Sequence, residues 1–145
     1  PERLCYGRGP MVQTKHGEIS VEQLAEIQPG MARIMDEYAR RFWILYYAGK
    51  AANWKLARYM INEVVKLGKV VAVVRPKYVE AMERFDVDSL QPIGAAIASA
   101  DWAAFEAAYH RAVQASDDYH DRFAKPFIRF RLPPEPPPWI EFDPR

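Results

Sequence analysis

The chain has 145 residues, of which 50% are hydrophobic and 27% are charged, and its formal net charge is +1. This size and composition are typical of one globular domain with its own core. The near-neutral charge provides no basic surface for nucleic acid, and no apolar run approaches the ~18 residues that a membrane-spanning helix needs. We therefore expect neither a nucleic-acid-binding protein nor a membrane-spanning one.

The single cysteine, Cys5, excludes an internal disulfide and every metal site built from several cysteines. We interpret Cys5 as a free or buried thiol. The first residue is Pro1, and a chain that starts without methionine is compatible with a processed mature form.

The N-terminal residues 1–19 contain glycine and proline at several positions and show little periodicity, which predicts an irregular arm. Ser20 and Gln23 have the spacing of a capping box, so we expect a short helix to begin there. Pro29 and Gly30 interrupt this helix before the first long one.

Two long helices are predicted next, over about residues 31–48 and 54–74. The first has apolar side chains alternately four and three residues apart, which is the spacing of a buried helix face, and Gly49 is predicted to end it. Asn53 is the predicted N-cap of the second. Residues 69–74 resemble a strand in composition, but they continue the helical period. The buried face of the first helix comprises Met31, Met35, Tyr38, Phe42 and Leu45.

Pro76 is predicted to stop or kink the second helix, and residues 86–89 are predicted to form a turn. A short Ala-rich helix from about Pro92 to Ser99 follows, and Asp101 is the predicted N-cap of the final helix. Four amphipathic helices with short connections predict an all-α four-helix bundle over residues 20–125.

Residues 126–145 hold seven of the 12 prolines and are predicted to form an extended C-terminal arm. Large apolar side chains along this arm are candidate partner-binding residues, because extended segments lose little entropy on docking. The alternative is that the arm covers its own bundle, and for residues 127–132 the two are evenly balanced. The candidate partner-binding residues are Phe130, Leu132, Trp139, Ile140 and Phe142.

Four short motifs carry a resemblance to a known family. They are Gln28-Pro29-Gly30 with Ile34-Met35 one turn into the first long helix, the connection from Leu45 to Trp54 that contains Ala48-Gly49-Lys50 and Asn53-Trp54, Pro92-Ile93, and the segment from Phe127 to Pro134. The sequence resembles small periplasmic c-type cytochrome-like proteins with a four-helix bundle. The resemblance implies a periplasmic location and a haem site on the final helix.

The chain departs from that family at the haem site itself. The two haem-linking cysteines of the family fall at Ser116 and Tyr119, the proximal ligand falls at His120, and an opposing histidine falls at Phe42. Serine and tyrosine form no thioether bond, so covalent haem is chemically excluded. We expect Tyr119 and Phe42 to fill the vacated volume. The vestigial pocket is expected to comprise Met35, Phe42, Gly68, Ser116, Tyr119 and His120.

The sequence signals for any other catalytic or metal-binding site are weak. Glu106 and His110 lie four residues apart, and His120 lies within an acidic helix end (Asp117, Asp118, Asp121), but the paired Glu-x-x-His motifs of di-iron bundles are missing. We expect a solvated acidic end with basic partners such as Lys125 or Arg122. No nucleophile elbow, phosphate loop or zinc-protease motif occurs, so neither an enzyme nor a metal site is predicted.

The sequence thus favours a non-catalytic bundle without a cofactor that acts as an accessory or interaction subunit. Its partners would be other protein subunits or a second copy of the chain. One alternative is a ligand- or metal-binding bundle that uses the vestigial pocket. Another is a redox protein with non-covalent haem held by His120, with Met35 or Met31 opposite.

Overall fold

A computed structural model describes residues 9–144, so the interpretation of Cys5 lies outside the described residues. The chain divides into two compact units at the boundary between Gly30 and Met31. The described residues are mostly helical with one small two-stranded sheet, in agreement with the predicted helical class.

The first unit contains a hairpin that the predicted irregular arm did not include. Strand β1 (Met11–Thr14) pairs antiparallel with β2 (Gly17–Ser20). Its turn is closed by the Thr14 hydroxyl, which donates to the Gly17 carbonyl at 2.7 Å, while Gly17 adopts φ +129°. The strands have four residues each and β1 is fully exposed, so neither leaves an alternating apolar pattern in the sequence.

Helix α1 (Val21–Glu26) follows directly and begins with the predicted capping box. The Gln23 amide donates to Ser20 Oγ at 3.1 Å, and the Ser20 amide donates to Gln23 Oε1 at 2.9 Å. The sequence placed this helix with the bundle, whereas it belongs to the same compact unit as the hairpin.

The second unit opens with α2 (Met31–Lys50) and α3 (Trp54–Val74). The predicted bounds of α3 and its N-cap are confirmed, because Asn53 Oδ1 accepts from the Leu56 amide at 3.1 Å. Residues 69–74 are helical, as their period indicated.

Gly49 does not end α2, contrary to the prediction, but lies inside it and is buried. A Cβ at this position would lie 2.5 Å from the Phe105 ring, and Phe105 is itself fully buried. The glycine is therefore required by the close approach of the aromatic ring.

Three helix ends share one termination geometry with alanine in the left-handed conformation, at Ala52, Ala100 and Ala124 (φ 55°, 50° and 56°). After α6 (Trp102–Arg122), the Lys125 amide donates to the His120 carbonyl at 2.7 Å and the Ala124 amide donates to the Asp121 carbonyl at 3.0 Å. This is the Schellman arrangement, in which glycine usually occupies the left-handed position.

Between α3 and α6 the chain is mostly helical, with breaks at Arg75 and at residues 99–101. A 3-10 turn (Pro76–Tyr78) leads into α4 (Val79–Phe85), a π-helical turn (Asp86–Leu90) and α5 (Gln91–Ala98). The turn predicted at residues 86–89 is wrong, because burial of Leu90 holds this segment in a helical path despite its turn-forming residues. Asp101 caps α6 as predicted, accepting from the Ala104 amide at 3.0 Å.

The core of the second unit joins α2, α3, α5 and α6 through fully buried side chains, among them Leu45, Val64, Ile93, Phe105 and Tyr109. The Tyr109 ring stacks on Phe42 with centroids 4.4 Å apart, and its hydroxyl donates to the Phe42 carbonyl at 2.8 Å. Across residues 9–144, no helix has the length and apolarity needed to cross a bilayer.

Candidate functional site

A cavity of about 510 Å³ that is partly open to solvent lies in the second unit. Its walls come from α2, from the 3-10 turn and α4, from α6, and from residues 125–131 of the C-terminal arm. Five of the six residues predicted for the vestigial pocket line it, namely Met35, Phe42, Ser116, Tyr119 and His120.

Helix α2 forms one wall with the same face that its periodicity predicted to be buried. Met31, Met35, Tyr38 and Phe42 lie on this wall, because residues three and four apart share one side of a helix. Ala39 also lies there, and its small side chain leaves space beside the larger ones.

Tyr119 and Phe42 line the cavity and do not fill it, which corrects the prediction that they would. Phe42 is held away by its stack on Tyr109. Tyr119 packs edge-on against Phe85, with centroids 6.1 Å apart, and lies parallel to Phe123, with centroids 6.5 Å apart. Both rings are therefore committed to the walls, and the volume between them stays open.

The prediction that Gly68 belongs to the vestigial pocket is also wrong. Gly68 lies on α3 and is not part of the cavity wall, because the Met82 side chain of α4 packs against it. The Met82 methyl lies 3.3 Å from where a Cβ would stand. Met82 takes the place in the wall that the sequence assigned to Gly68.

Two buried polar atoms of cavity-lining residues have no hydrogen-bond partner within residues 9–144: the Tyr38 hydroxyl and His120 Nδ1. Burial raises the pKa of the Tyr38 phenol well above its usual value, and the negative charge of Asp86 adds to this. An unpaired buried polar group costs about 1–3 kcal/mol. Both atoms are buried within the wall itself and are not exposed to the open volume of the cavity.

The arm contributes basic residues to the wall, and two of them pair with the acidic end of α6. Arg131 Nη1 lies 3.1 Å from Asp117 Oδ2, and Arg129 donates to the Asp121 carboxylate and, at 2.9 Å, to the Asp117 carbonyl. The hydrogen bond to Asp121 raises the pKa of Arg129. The basic partners of the acidic end are these arginines rather than the predicted Lys125 and Arg122.

Beyond residue 132 the arm lies along the second unit's own helices. The Tyr47 hydroxyl donates to the Pro133 carbonyl at 2.8 Å, and Trp43 Nε1 donates to the Glu135 carbonyl at 2.9 Å. Trp139 packs edge-on against Trp43, with centroids 5.6 Å apart. The sequence left open whether this part of the arm covers its own bundle. Backbone carbonyls of the arm meet donors on α2, a pairing that residue spacing does not reveal.

The five candidate partner-binding residues are therefore engaged with their own chain to different extents. Phe130, Leu132, Ile140 and Phe142 are partly buried against the core. Trp139 remains 57% exposed.

The remaining ionisable candidates make no site of their own. Glu106 accepts from the Tyr46 hydroxyl at 3.0 Å, and His110 is exposed beside Tyr46. Within residues 9–144, no three His, Cys, Asp or Glu side chains lie close enough together to hold a metal ion.

A covalently attached haem does not fit this cavity. Ser116 and Tyr119 line the wall at the positions where the resemblance places haem-linking cysteines, and neither forms a thioether. Phe42, at the position of the opposing histidine, has no ligand atom and is fixed by Tyr109.

No protein-family model, curated protein or solved structure matches this chain.

Proposed function

We propose that this protein binds a small molecule with a largely apolar body in the cavity between α2, α4, α6 and the arm. The observation that carries the proposal is a cavity of about 510 Å³ whose walls are mostly apolar and aromatic, with few polar side chains. Ligand sites are typically concave and about 300–1,000 Å³ in volume, with apolar walls and few polar groups. The volume and the lining of this cavity both agree with that description.

The composition of the walls supports an adaptable apolar site. Three of the chain's five methionines, Met31, Met35 and Met82, line the cavity. Unbranched thioether side chains fill irregular volumes and re-pack easily, so methionine is common where a surface accepts ligands of variable shape. Phe85 and Phe123 add aromatic surface to the walls.

The scaffold in this proposal is a four-helix bundle formed by α2, α3, α5 and α6. Bundles of this kind hold ligands and cofactors in their cores, between facing helices. The cavity lies at the positions where the resemblance to cytochrome-like proteins places the haem. The proposal is that the ligand occupies a site whose covalent attachment residues, at positions 116 and 119, have been replaced.

We propose binding without catalysis. Ser116 and His120 lie four residues apart in the cavity wall, but their side chains make no hydrogen bond to each other within residues 9–144. Activation of a serine requires such a bond to a base. Ser116 is better suited to contributing polarity to the wall.

An accessory subunit that binds other proteins is the second candidate. Two large apolar side chains of the arm favour it: Phe127 is 78% exposed and Trp139 is 57% exposed. Exposed aromatic residues are frequent hot spots in interfaces. This hypothesis ranks second because the rest of the arm is already anchored to its own helices.

Titration with N-phenyl-1-naphthylamine, a neutral apolar dye that fluoresces in dry sites, tests the cavity proposal. The expected result is saturable binding at one site per chain. Ser116→Phe places a large ring in the cavity wall and should abolish the signal. Ala107→Phe, at an exposed position of the same helix, is the matched control and should leave it unchanged.

The fold of each variant is checked by circular dichroism before titration. Dye binding that is absent, or equal in both variants, overturns the proposal. An absorbance spectrum of the natively purified protein is recorded alongside. A Soret band that is lost with His120→Gln would assign the cavity to non-covalent haem instead.

A further inference from the structure

We infer that the ligand is an amphipathic anion, such as a long-chain carboxylate, whose charged group contacts Lys125 at the end of α6. This inference rests on the proposed function, since it specifies which apolar ligand the cavity accepts. It is carried by the distribution of charge around the cavity and by the geometry that fixes Lys125.

The charged residues of the cavity wall are all basic. Lys125, Arg129 and Arg131 line the cavity, and no aspartate or glutamate does. All three lie on the segment that follows α6, so the positive charge is confined to one side of an otherwise apolar and aromatic wall. This asymmetry matches a ligand that has a negative group at one end and an apolar body.

The two arginines are already neutralised. Arg131 pairs with Asp117, and Arg129 pairs with Asp121. Lys125 makes no ion pair within 4.0 Å to any residue between 9 and 144. Lys125 is therefore the cation of the wall whose charge an incoming anion can satisfy without displacing an internal partner.

The backbone of Lys125 is fixed by the end of α6. Its amide donates to the His120 carbonyl at 2.7 Å, and Ala124 in the left-handed conformation reverses the chain between them. The amides of Phe123, Ala124 and Lys125 all bond to carbonyls of the last helical turn. The position of Lys125 is therefore defined, and its positive charge lies where the negative end of the helix favours a cation.

The same motif places Lys125 directly after the helical turn that holds His120, another residue of the cavity wall. A carboxylate accepts charge-assisted hydrogen bonds, so the ammonium of Lys125 suits it better than it suits a neutral group. The apolar body of the ligand would then extend along the methionines of α2 and α4. This placement uses both the charge and the apolar wall of the cavity.

Isothermal titration with three ligands that share one alkyl chain tests the inference. Dodecanoate, dodecanol and dodecyltrimethylammonium, each below its micellar concentration, have twelve-carbon chains and differ in the group at the chain end. We expect dodecanoate to bind most tightly and the cation most weakly. Lys125→Gln should weaken dodecanoate roughly three- to tenfold, the range for loss of a partly exposed charged hydrogen bond, and leave dodecanol unchanged.

Two further variants sharpen the test. Lys125→Glu should reverse the preference, so that the cation binds more tightly than dodecanoate. Lys69→Gln removes a lysine from an exposed position of α3 outside the cavity wall and should change none of the affinities.

The outcomes separate this inference from the function on which it rests. Equal affinity for dodecanoate and dodecanol, or equal weakening of dodecanoate by the two lysine-to-glutamine variants, overturns the anion assignment while leaving an apolar-ligand site in place. Failure of all three ligands together with the neutral dye overturns the proposed function itself.

Discussion

Substitution Ala39→Leu should stabilise the protein and at the same time reduce its ligand binding, because Ala39 lies on the cavity wall. Leucine adds three carbon atoms, and each buried carbon contributes about 0.8 kcal/mol, so complete burial would yield about 2.4 kcal/mol. Ala39 is half-buried, so part of the added surface stays in water. The expected gain is about 1–2 kcal/mol, the usual range for cavity filling.

Thermal unfolding followed by circular dichroism measures this change, and 1 kcal/mol corresponds to a rise in Tm of roughly 4 °C for a domain of this size. The matched control is Ala107→Leu, an exposed position of α6, for which we expect a change within about 0.5 kcal/mol. A loss of about 1 kcal/mol or more in Ala39→Leu alone would indicate overpacking. That result would refute the claim that open space lies beside α2.

Four other predictions follow from the contacts. Ala124→Gly should raise the free energy of unfolding by about 1 kcal/mol in urea titrations, because glycine adopts the left-handed conformation without strain; a loss would show that α6 does not end there. Asn53→Ala should cost about 1–2 kcal/mol, since Asn53 caps α3 and also donates to the Phe142 carbonyl; an unchanged midpoint would contradict both contacts. Burial raises the pKa of Tyr38, so stability should be complete below the unfolded tyrosine value of about 10 and fall as pH rises above it; Tyr38→Phe should lessen this decline, and an equal decline in both proteins would contradict burial. Trp139→Ala should change tryptophan fluorescence polarisation only slightly, but it should increase protease cleavage of the arm, because the substitution removes the contact between Trp139 and Trp43. Unchanged cleavage would mean that other contacts anchor the arm.

The sequence predicted most helix starts correctly because the signals for them are local. Ser20, Asn53 and Asp101 each form the predicted cap with an amide three residues ahead. Helix ends were harder to predict. Gly49 has the residue type of a terminator, but its position is determined by the Phe105 ring, which approaches from a distant part of the chain.

The candidate site was predictable where one helix face determines it. Met35 and Phe42 share a face of α2, and Ser116 and His120 share a face of α6, so periodicity together with the family resemblance placed them in one pocket. Whether the protein's own side chains fill that pocket was not predictable from the sequence. Whether a large side chain fills a volume depends on its rotamer, and Phe42 is drawn aside by its stack on Tyr109.

The sequence contains no local pattern that predicts the parts of the cavity wall formed by α4 and by the arm. Met82 and Phe85 reach the cavity through the 3-10 and π-helical turns that flank α4, which change the direction of the chain in ways that residue spacing does not specify. Arg129 is placed by its hydrogen bonds to the end of α6. An alternating pattern in the arm predicts an extended segment, but it does not predict which surface that segment covers.

Methyl nuclear magnetic resonance of the protein labelled at its five methionines tests the central claim most directly, because the methionines divide into two groups. Met31, Met35 and Met82 line the cavity, whereas Met11 and Met60 do not. Titration with dodecanoate should shift the first three methyl signals, saturate at one equivalent, and leave the other two in place. Shifts confined to Met11 or Met60, equal shifts at all five, or no shifts at any would contradict a ligand site in this cavity.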